Sequence, residues 1–218
     1  MTALLVVAKA PVPGLAKTRL CPPAKPEQAA DLAAASLLDT LDAVHATSGA
    51  HPVVALTGDL RRAARAAELR SRLGLGTLLP QRGDGFPQRL AAAHADTAVA
   101  HPGSPVLQIG MDTPQVSADL LAEACHRLSG ADAVCGPAAD GGWWAIGFRD
   151  PRAAALLAGI PTSRPDTGRR TLHALCDAGL RVATLPVLAD VDTMSDAHVV
   201  AAEVPHTRFA AALAQHTW

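Results

Sequence analysis

The chain has 218 residues, a formal net charge of −1, 49% hydrophobic residues and 18% charged residues. That length suits one domain with a real core, and the composition excludes disorder. Near-neutral charge argues against a nucleic-acid or polybasic membrane binder, and 3% aromatics with no tyrosine offers no platform for stacking bases.

Leu4–Ala8 is a short apolar, β-branched run without alternation, as expected for a strand buried on both faces. Its shortness and the lysine after it argue against a signal peptide, so the chain is expected to be cytoplasmic. A loop with Pro11, Pro13, Gly14, Pro22 and Pro23 follows. Pro26 opens a helix running from Glu27 to about His45, with apolar residues at helical spacing. Pro52–Leu56 reads as a second strand, Asp59 as the cap of a basic helix through Arg72, and Gly76–Leu79 as a third strand. A helix over Phe86–Ala100 and a strand over Val106–Gly110 come next. Ser117 or Asp119 caps a helix through Leu128; Ala131–Cys135 and Trp143–Phe148 read as strands. Asp150-Pro151 opens a short helix and Asp166–Ala178 a longer one. Leu180–Leu185 is the last clear strand, and two helical segments finish the chain, the first starting near Met194 or Ser195.

Strand–helix alternation at this spacing predicts an α/β/α sandwich around a mostly parallel sheet, in one domain over residues 1–218. No stretch is long and apolar enough to suggest a membrane span. The four cysteines form no C-x-x-C pair and read as free thiols. The nine histidines are scattered, which makes a zinc site improbable on spacing.

Open α/β sheets bind ligands beyond the carboxyl ends of their strands, so the residues just after each strand carry the functional reading. Only three lysines occur, Lys9, Lys17 and Lys25, all within the first 25 residues. The segment Ala8-Lys9-Ala10-Pro11-Val12-Pro13-Gly14 with Lys17-Thr18-Arg19-Leu20 is a plausible phosphate cradle, although alone it is equally a solvated basic loop. It is not a dinucleotide fingerprint, having one glycine. It is not a P-loop either, because Ala16 stands where the second glycine belongs. Asp112-Thr113-Pro114 puts a carboxylate directly after an apolar strand; by itself that is also a turn pattern. Asp140-Gly141-Gly142 lets backbone approach a ligand, or simply makes a hairpin turn ahead of Trp143 and Trp144. On alternating strand faces only one of those tryptophans can point at the core. Asp190-Val191-Asp192-Thr193 precedes a helix and reads by default as a capping pattern. Together these segments place cations after the first strand and carboxylates after three later ones. That suits a nucleotide diphosphate with Mg²⁺ or Mn²⁺ between its oxygens and the carboxylates.

This ordered set of motifs resembles a bacterial group often named radical-SAM/selenodomain-associated transferase 1, or glycosyltransferase A-like. The group belongs to the nucleotide-diphospho-sugar transferase (GT-A) superfamily. That superfamily also holds molybdenum-cofactor nucleotidyltransferases and 2-phospho-lactate guanylyltransferases. The resemblance runs from Leu4 to about Phe209. The segment Ala8–Gly14 with Lys17–Leu20 is specific to the group, whereas Asp190–Thr193 is widespread among nucleotidyltransferases. It implies that Lys17 and Arg19 hold nucleotide phosphates, with Ala8, Lys9 and Gly14 beside them and Gly83 and Asp84 in a loop lining the nucleotide. Asp112 would be the main metal ligand and Asp192 a second. Gly141, Gly142, Trp143 and Trp144 would line the acceptor side. Catalytic roles would fall to Lys17, Asp112 and Asp140, with Asp166 an alternative base. The chain departs from the group at Trp143 and Trp144, where tyrosine-like aromatics are usual, and over Pro161–Arg170.

The resulting expectation is a metal-dependent transferase that moves a nucleotidyl or glycosyl group from a nucleotide or nucleotide-sugar to a small acceptor. The alternative is a catalytically silent nucleotide-binding or regulatory module on the same fold. A P-loop-type hydrolase is a distant third, given the failed motif.

Overall fold

A computed structural model describes residues 1–216. One seven-stranded sheet runs in the order β3-β2-β1-β4-β6-β5-β7. Its strands are β1 (Thr2–Lys9), β2 (Ala50–Thr57), β3 (Thr77–Pro80), β4 (Val106–Ile109), β5 (Ala133–Pro137), β6 (Trp143–Phe148) and β7 (Val182–Thr184). All are parallel except β6, which runs against both β4 and β5. The expected α/β architecture is therefore the observed one.

Helices cover both faces because β1 is apolar on both. Leu4, Val6 and Ala8 pack with α1 (Pro26–Ala46), α2 (Ala66–Leu73) and α4 (Ala118–Gly130). Ala3, Leu5 and Val7 pack with α3 (Phe86–Ala100), the 3-10 segment Pro151–Gly159 and α5 (Thr167–Asp177). A third cluster joins the outer side of α1, through Ala29, Leu32 and Ala35, to α6 (Met194–Glu203) and α7 (Arg208–Gln215). α1 is thus buried on two sides, and its run of alanines lets two layers approach it closely. Lys25, whose backbone N–H donates to Gln28 Oε1 at 2.7 Å, is the residue that starts this helix.

One expected helix and one expected cap come out differently. Asp59 caps a 3-10 turn over Leu60–Arg62, not a long helix. Ala64 N–H is drawn to Pro11 O at 2.9 Å, and Arg65 turns left-handed (φ 49°) before α2 begins at Ala66. The helix after β7 is capped by Thr193, whose hydroxyl accepts from Asp196 N–H while Asp196 Oδ2 accepts from Thr193 N–H. Asp190 and Asp192 are therefore released from capping and free to face elsewhere.

Candidate active site

The strand order reverses between β1 and β4, and open α/β sheets bind ligands beyond the strand ends at such a reversal. Both strands stop there and send their loops upward. Lys9 N–H donates to Met111 Sδ at 3.2 Å, and Ser36 Oγ of α1 donates to Met111 O at 2.8 Å, so the two loops are held against each other. Val191 N–H donates to Asp112 O at 2.9 Å, which brings the loop before α6 into the same place.

At the centre stands Lys17. Its Nζ lies 2.8 Å from Asp112 Oδ2 and 3.0 Å from Asp192 Oδ1, and its side chain is only 15% exposed. Arg19 Nη1 reaches Asp192 Oδ2 at 3.2 Å from a far more exposed position. Lys17 takes a left-handed backbone (φ 46°, ψ 41°) as it enters the turn Thr18–Leu20. For a lysine that conformation is uncommon and carries strain, which the two ion pairs help to hold. Burial works to lower the Lys17 pKa, but Asp112 and Asp192 outweigh it and the net displacement is upward. For Asp192, burial pushes up, and Lys17 and Arg19 together bring it below the usual carboxylate range. Gly110 makes room for this arrangement, since a Cβ there would stand 2.7 Å from Asp112 Oδ1.

The residue that sequence reasoning passed over is Asp190. Burial first, then repulsion from Asp112, Asp140 and Asp192, pushes its carboxyl up to about 7 against the pull of Lys17. Its Oδ1 is buried without a hydrogen-bond partner. The Asp-x-Asp spacing of 190–192 was the available signal, because alternate residues in an extended segment share a face. Gln81 was also missed as a support. Its Nε2 donates to Ala8 O and Ala55 O, both at 2.8 Å, and so fixes the loop after β3 to β1 and β2.

Asp112 and Asp192 flank the Lys17 cation, and the charges of Asp112, Asp140 and Asp192 all bear on the buried Asp190. These carboxylates are hard oxygen donors and carry excess negative charge, which suits a divalent ion such as Mg²⁺ or Mn²⁺. Among the described residues no three His, Cys, Asp or Glu side chains form a ready-made cage. The Lys17 ammonium occupies the place between two of the carboxylates. The donor set therefore fits a metal completed by ligand oxygens, as is usual for Mg²⁺ with phosphates.

The other sequence-predicted residues fall as follows. Gly14 (φ 74°) is an exposed turn residue in the β1 loop, and Lys9 is exposed at its start. Ala8, at the end of β1, is 2% exposed and its carbonyl accepts from Gln81 Nε2. Gly83 (φ 126°) and Asp84 are exposed on the loop after β3, where Gly83 O accepts from Arg89 Nε. Asp140, Gly141 and Gly142 form the β5–β6 turn, with Gly142 N–H donating to Asp140 Oδ1 at 2.8 Å. Trp144 is corrected from acceptor wall to core. It is 2% exposed, lies over Gly136, and donates Nε1–H to Pro186 O at 2.9 Å. Trp143 points to the opposite face, where it is half-buried against the second core cluster. Asp166 lies among arginines. Hydrogen bonding to Arg170, reinforced by Arg164 and Arg169, holds its carboxyl low, where proton abstraction is weak.

The chain is similar to several known proteins. The family model described as "Uncharacterized protein conserved in bacteria (DUF2064)" matches residues 40–164. A phosphoenolpyruvate guanylyltransferase of Nocardia farcinica (strain IFM 10152) is 32% identical over 187 residues, covering 83% of this chain and 77% of that protein. A protein of Desulfovibrio desulfuricans G20, described as a "putative nucleotide-diphospho-sugar transferase", superposes with a TM-score of 0.85 at 28% identity, covering 99% of this chain and 95% of its own. Rv0371c of Mycobacterium tuberculosis H37Rv, solved as a complex with manganese, superposes with a TM-score of 0.56 at 20% identity, over 94% of this chain and 100% of its own.

Proposed function

The chain belongs to the DUF2064 family and carries the nucleotidyltransferase and GT-A fold, and from its charged centre we propose that it is a divalent-metal-dependent nucleotidyltransferase. The observation that carries this reading is Lys17 bridging Asp112 and Asp192 at the reversal of strand order. The guanylyltransferase activity named for the Nocardia relative supports nucleotidyl transfer, and the manganese of Rv0371c supports the metal. Within the superfamily we assign it to the radical-SAM/selenodomain-associated transferase 1 group, on the motif Ala8–Gly14 with Lys17–Leu20. We also assign it to the cytoplasm; among the described residues no helix is long and apolar enough to cross a membrane.

In this reading a nucleoside triphosphate lies along the loop from Lys9 to Arg19, flanked by Gly14 and by Gly83 and Asp84. Asp112 and Asp192 would hold the Mg²⁺ or Mn²⁺, which would supply charge to neutralise phosphate oxygens. Lys17 would face the phosphates from between Asp112 and Asp192, and Arg19 would meet them from the rim. An acceptor oxygen, held near the turn Asp140–Gly142, forms a bond to the α-phosphorus. The α–β phosphoanhydride bond breaks and pyrophosphate leaves, its charge met by Lys17 and Arg19. The acceptor proton, where there is one, passes to Asp140 or to solvent.

A second reading is glycosyl transfer from a nucleotide-sugar, favoured by the description of the Desulfovibrio protein. The two separate in one experiment. The purified protein is incubated with Mg²⁺ or Mn²⁺, a panel of nucleoside triphosphates and sugar nucleotides, and small acceptors. Pyrophosphate release marks nucleotidyl transfer, and nucleoside diphosphate release marks glycosyl transfer. Nucleotide is expected to tighten Mn²⁺ binding about tenfold or more, because the carboxylates alone form an incomplete cage. Nucleotide binding without any turnover would support a silent module instead. No nucleotide binding at all, with either metal, would overturn the proposal.

A further inference from the structure

We propose that Arg164, Arg169 and Arg170 form an oxyanion subsite beside the β5–β6 turn, which takes a carboxylate or phosphate group of the acceptor. Assigning the anion to an acceptor rests on the transferase reading above; the anion site itself does not.

Three guanidinium groups gather round one carboxylate. Arg170 Nε lies 2.7 Å from Asp166 Oδ2, Arg164 Nε 3.5 Å from Oδ1, and Arg169 Nη2 3.6 Å from Oδ2. Only Arg170 makes a full hydrogen bond. By comparison, Arg82 pairs with Asp96 and Arg152 with Asp150, and Arg149 and Arg181 share Asp132 two to one. Here one negative charge faces three positive ones. The side chains of Arg164, Arg169 and Arg170 are 58%, 65% and 46% exposed, so a ligand can reach them. Each is a planar fork of donors, the shape that matches carboxylate and phosphate oxygens.

The cluster is pinned at the rim of the site. Gly168 N–H donates to Gly141 O at 2.8 Å. A Cβ on Gly141 would fall 2.0 Å from Pro165 O, and one on Gly168 would fall 2.5 Å from Gly142 O. Segment 165–168 therefore lies directly on the turn that carries Asp140, which in turn acts on Asp190. Thr167 stiffens the segment by donating its hydroxyl to Pro161 O and accepting from Arg164 N–H. A cationic rim against an acidic centre gives an anionic acceptor one orientation: its charged group on the arginines, and its other end toward the carboxylates.

The test is an amide titration of the ¹⁵N-labelled full chain with inorganic phosphate and, separately, malonate, at constant ionic strength. Signals of Gly141, Gly142 and residues 166–170 are expected to shift. In Arg164→Gln/Arg169→Gln the affinity read from those signals should fall tenfold or more, while the response of Gly14–Arg19 stays unchanged. Retaining Arg170 keeps Asp166 paired; if the double variant fails to fold, Arg169→Gln alone is read in the same way. Response to phosphate alone assigns a phosphate subsite, and response to malonate assigns a carboxylate subsite. Shifts confined to Gly14–Arg19, or shifts that survive the substitutions, overturn the proposal. Absence of pyrophosphate release would count against the nucleotidyl reading while leaving this result standing.

Discussion

Lys17 and His94 are both polar side chains removed from water, and they have met opposite fates. Lys17 sits at the end of the sheet between two carboxylates, strained in its backbone and held fully charged. His94 sits in the middle of α3, 0% exposed, with its ring edge-on to Phe148 at 5.3 Å. Gln108 of β4 lies beside it, but no bond of good geometry forms, and both ring nitrogens and Gln108 Oε1 are buried without partners. Burial, against a slight opposing pull from Gln108, lowers the His94 pKa to about 3, so the ring is neutral. The contrast separates two uses of burial. Where partners are supplied, a charge is kept and aimed. Where none is supplied, the group gives up its charge and remains a cost to stability.

Lys17→Met gives the largest expected effect. It removes the cation that bridges Asp112 and Asp192 and the donor assigned to the phosphates. Loss of one such electrostatic stabiliser costs about 10²–10³ in kcat. Stability should fall by no more than about 1–2 kcal/mol, because the two carboxylates are 32% and 39% exposed and water can reach them. Steady-state kinetics alongside urea denaturation checks both halves. Near-normal turnover would reduce Lys17 to a structural latch.

His94→Leu is expected to do the reverse: leave turnover unchanged and alter the response to acid. The folded pKa is depressed, near 3, whereas the unfolded chain takes up a proton near 6.5. Between those values the unfolded state binds more protons, so stability falls as pH drops, by about 1.4 kcal/mol per pH unit at most. From pH 7 to 5 this one residue therefore removes about 2 kcal/mol. Other groups titrate too, so the readout is the difference between native protein and variant in denaturant midpoints at the two pH values. Equal acid sensitivity in both would show that His94 has a proton-accepting partner after all.

The same contrast explains how much of the molecule could be read from its sequence. α1, α3 and β6 were legible almost to the residue, because Pro26, the helical apolar spacing and the Trp143–Phe148 run are local signals. Lys17, Asp112 and Asp192 were legible as a set of residues following strands, but not as a contact, since they are 95 and 175 residues apart. Asp190 was hidden because an acidic pair before a helix looks like a cap, and only the hydrogen bonds of Thr193 and Asp196 show that the cap lies elsewhere. Trp144 was misread because strand alternation fixes opposite faces without saying that both faces of β6 are covered. His94 gave no signal at all, since a histidine on a helix looks the same whether or not a partner waits across the core.

The smallest effect expected is that of Arg19→Gln, and it bears on whether the charge at the site is graded by burial. Arg19 touches the same Asp192 as Lys17, at 3.2 Å, but it is 73% exposed. An exposed ion pair of this kind contributes little to stability, about 0–1 kcal/mol. Its arm can still meet a bound phosphate, so its substitution should raise KM for the nucleotide a few-fold and leave kcat nearly unchanged. That split is the signature of uniform binding lost, as opposed to the loss specific to the transition state expected at Lys17. If Arg19→Gln instead lowers kcat as far as Lys17→Met does, burial is not what distinguishes the two cations, and Arg19 must close over the phosphates during the reaction.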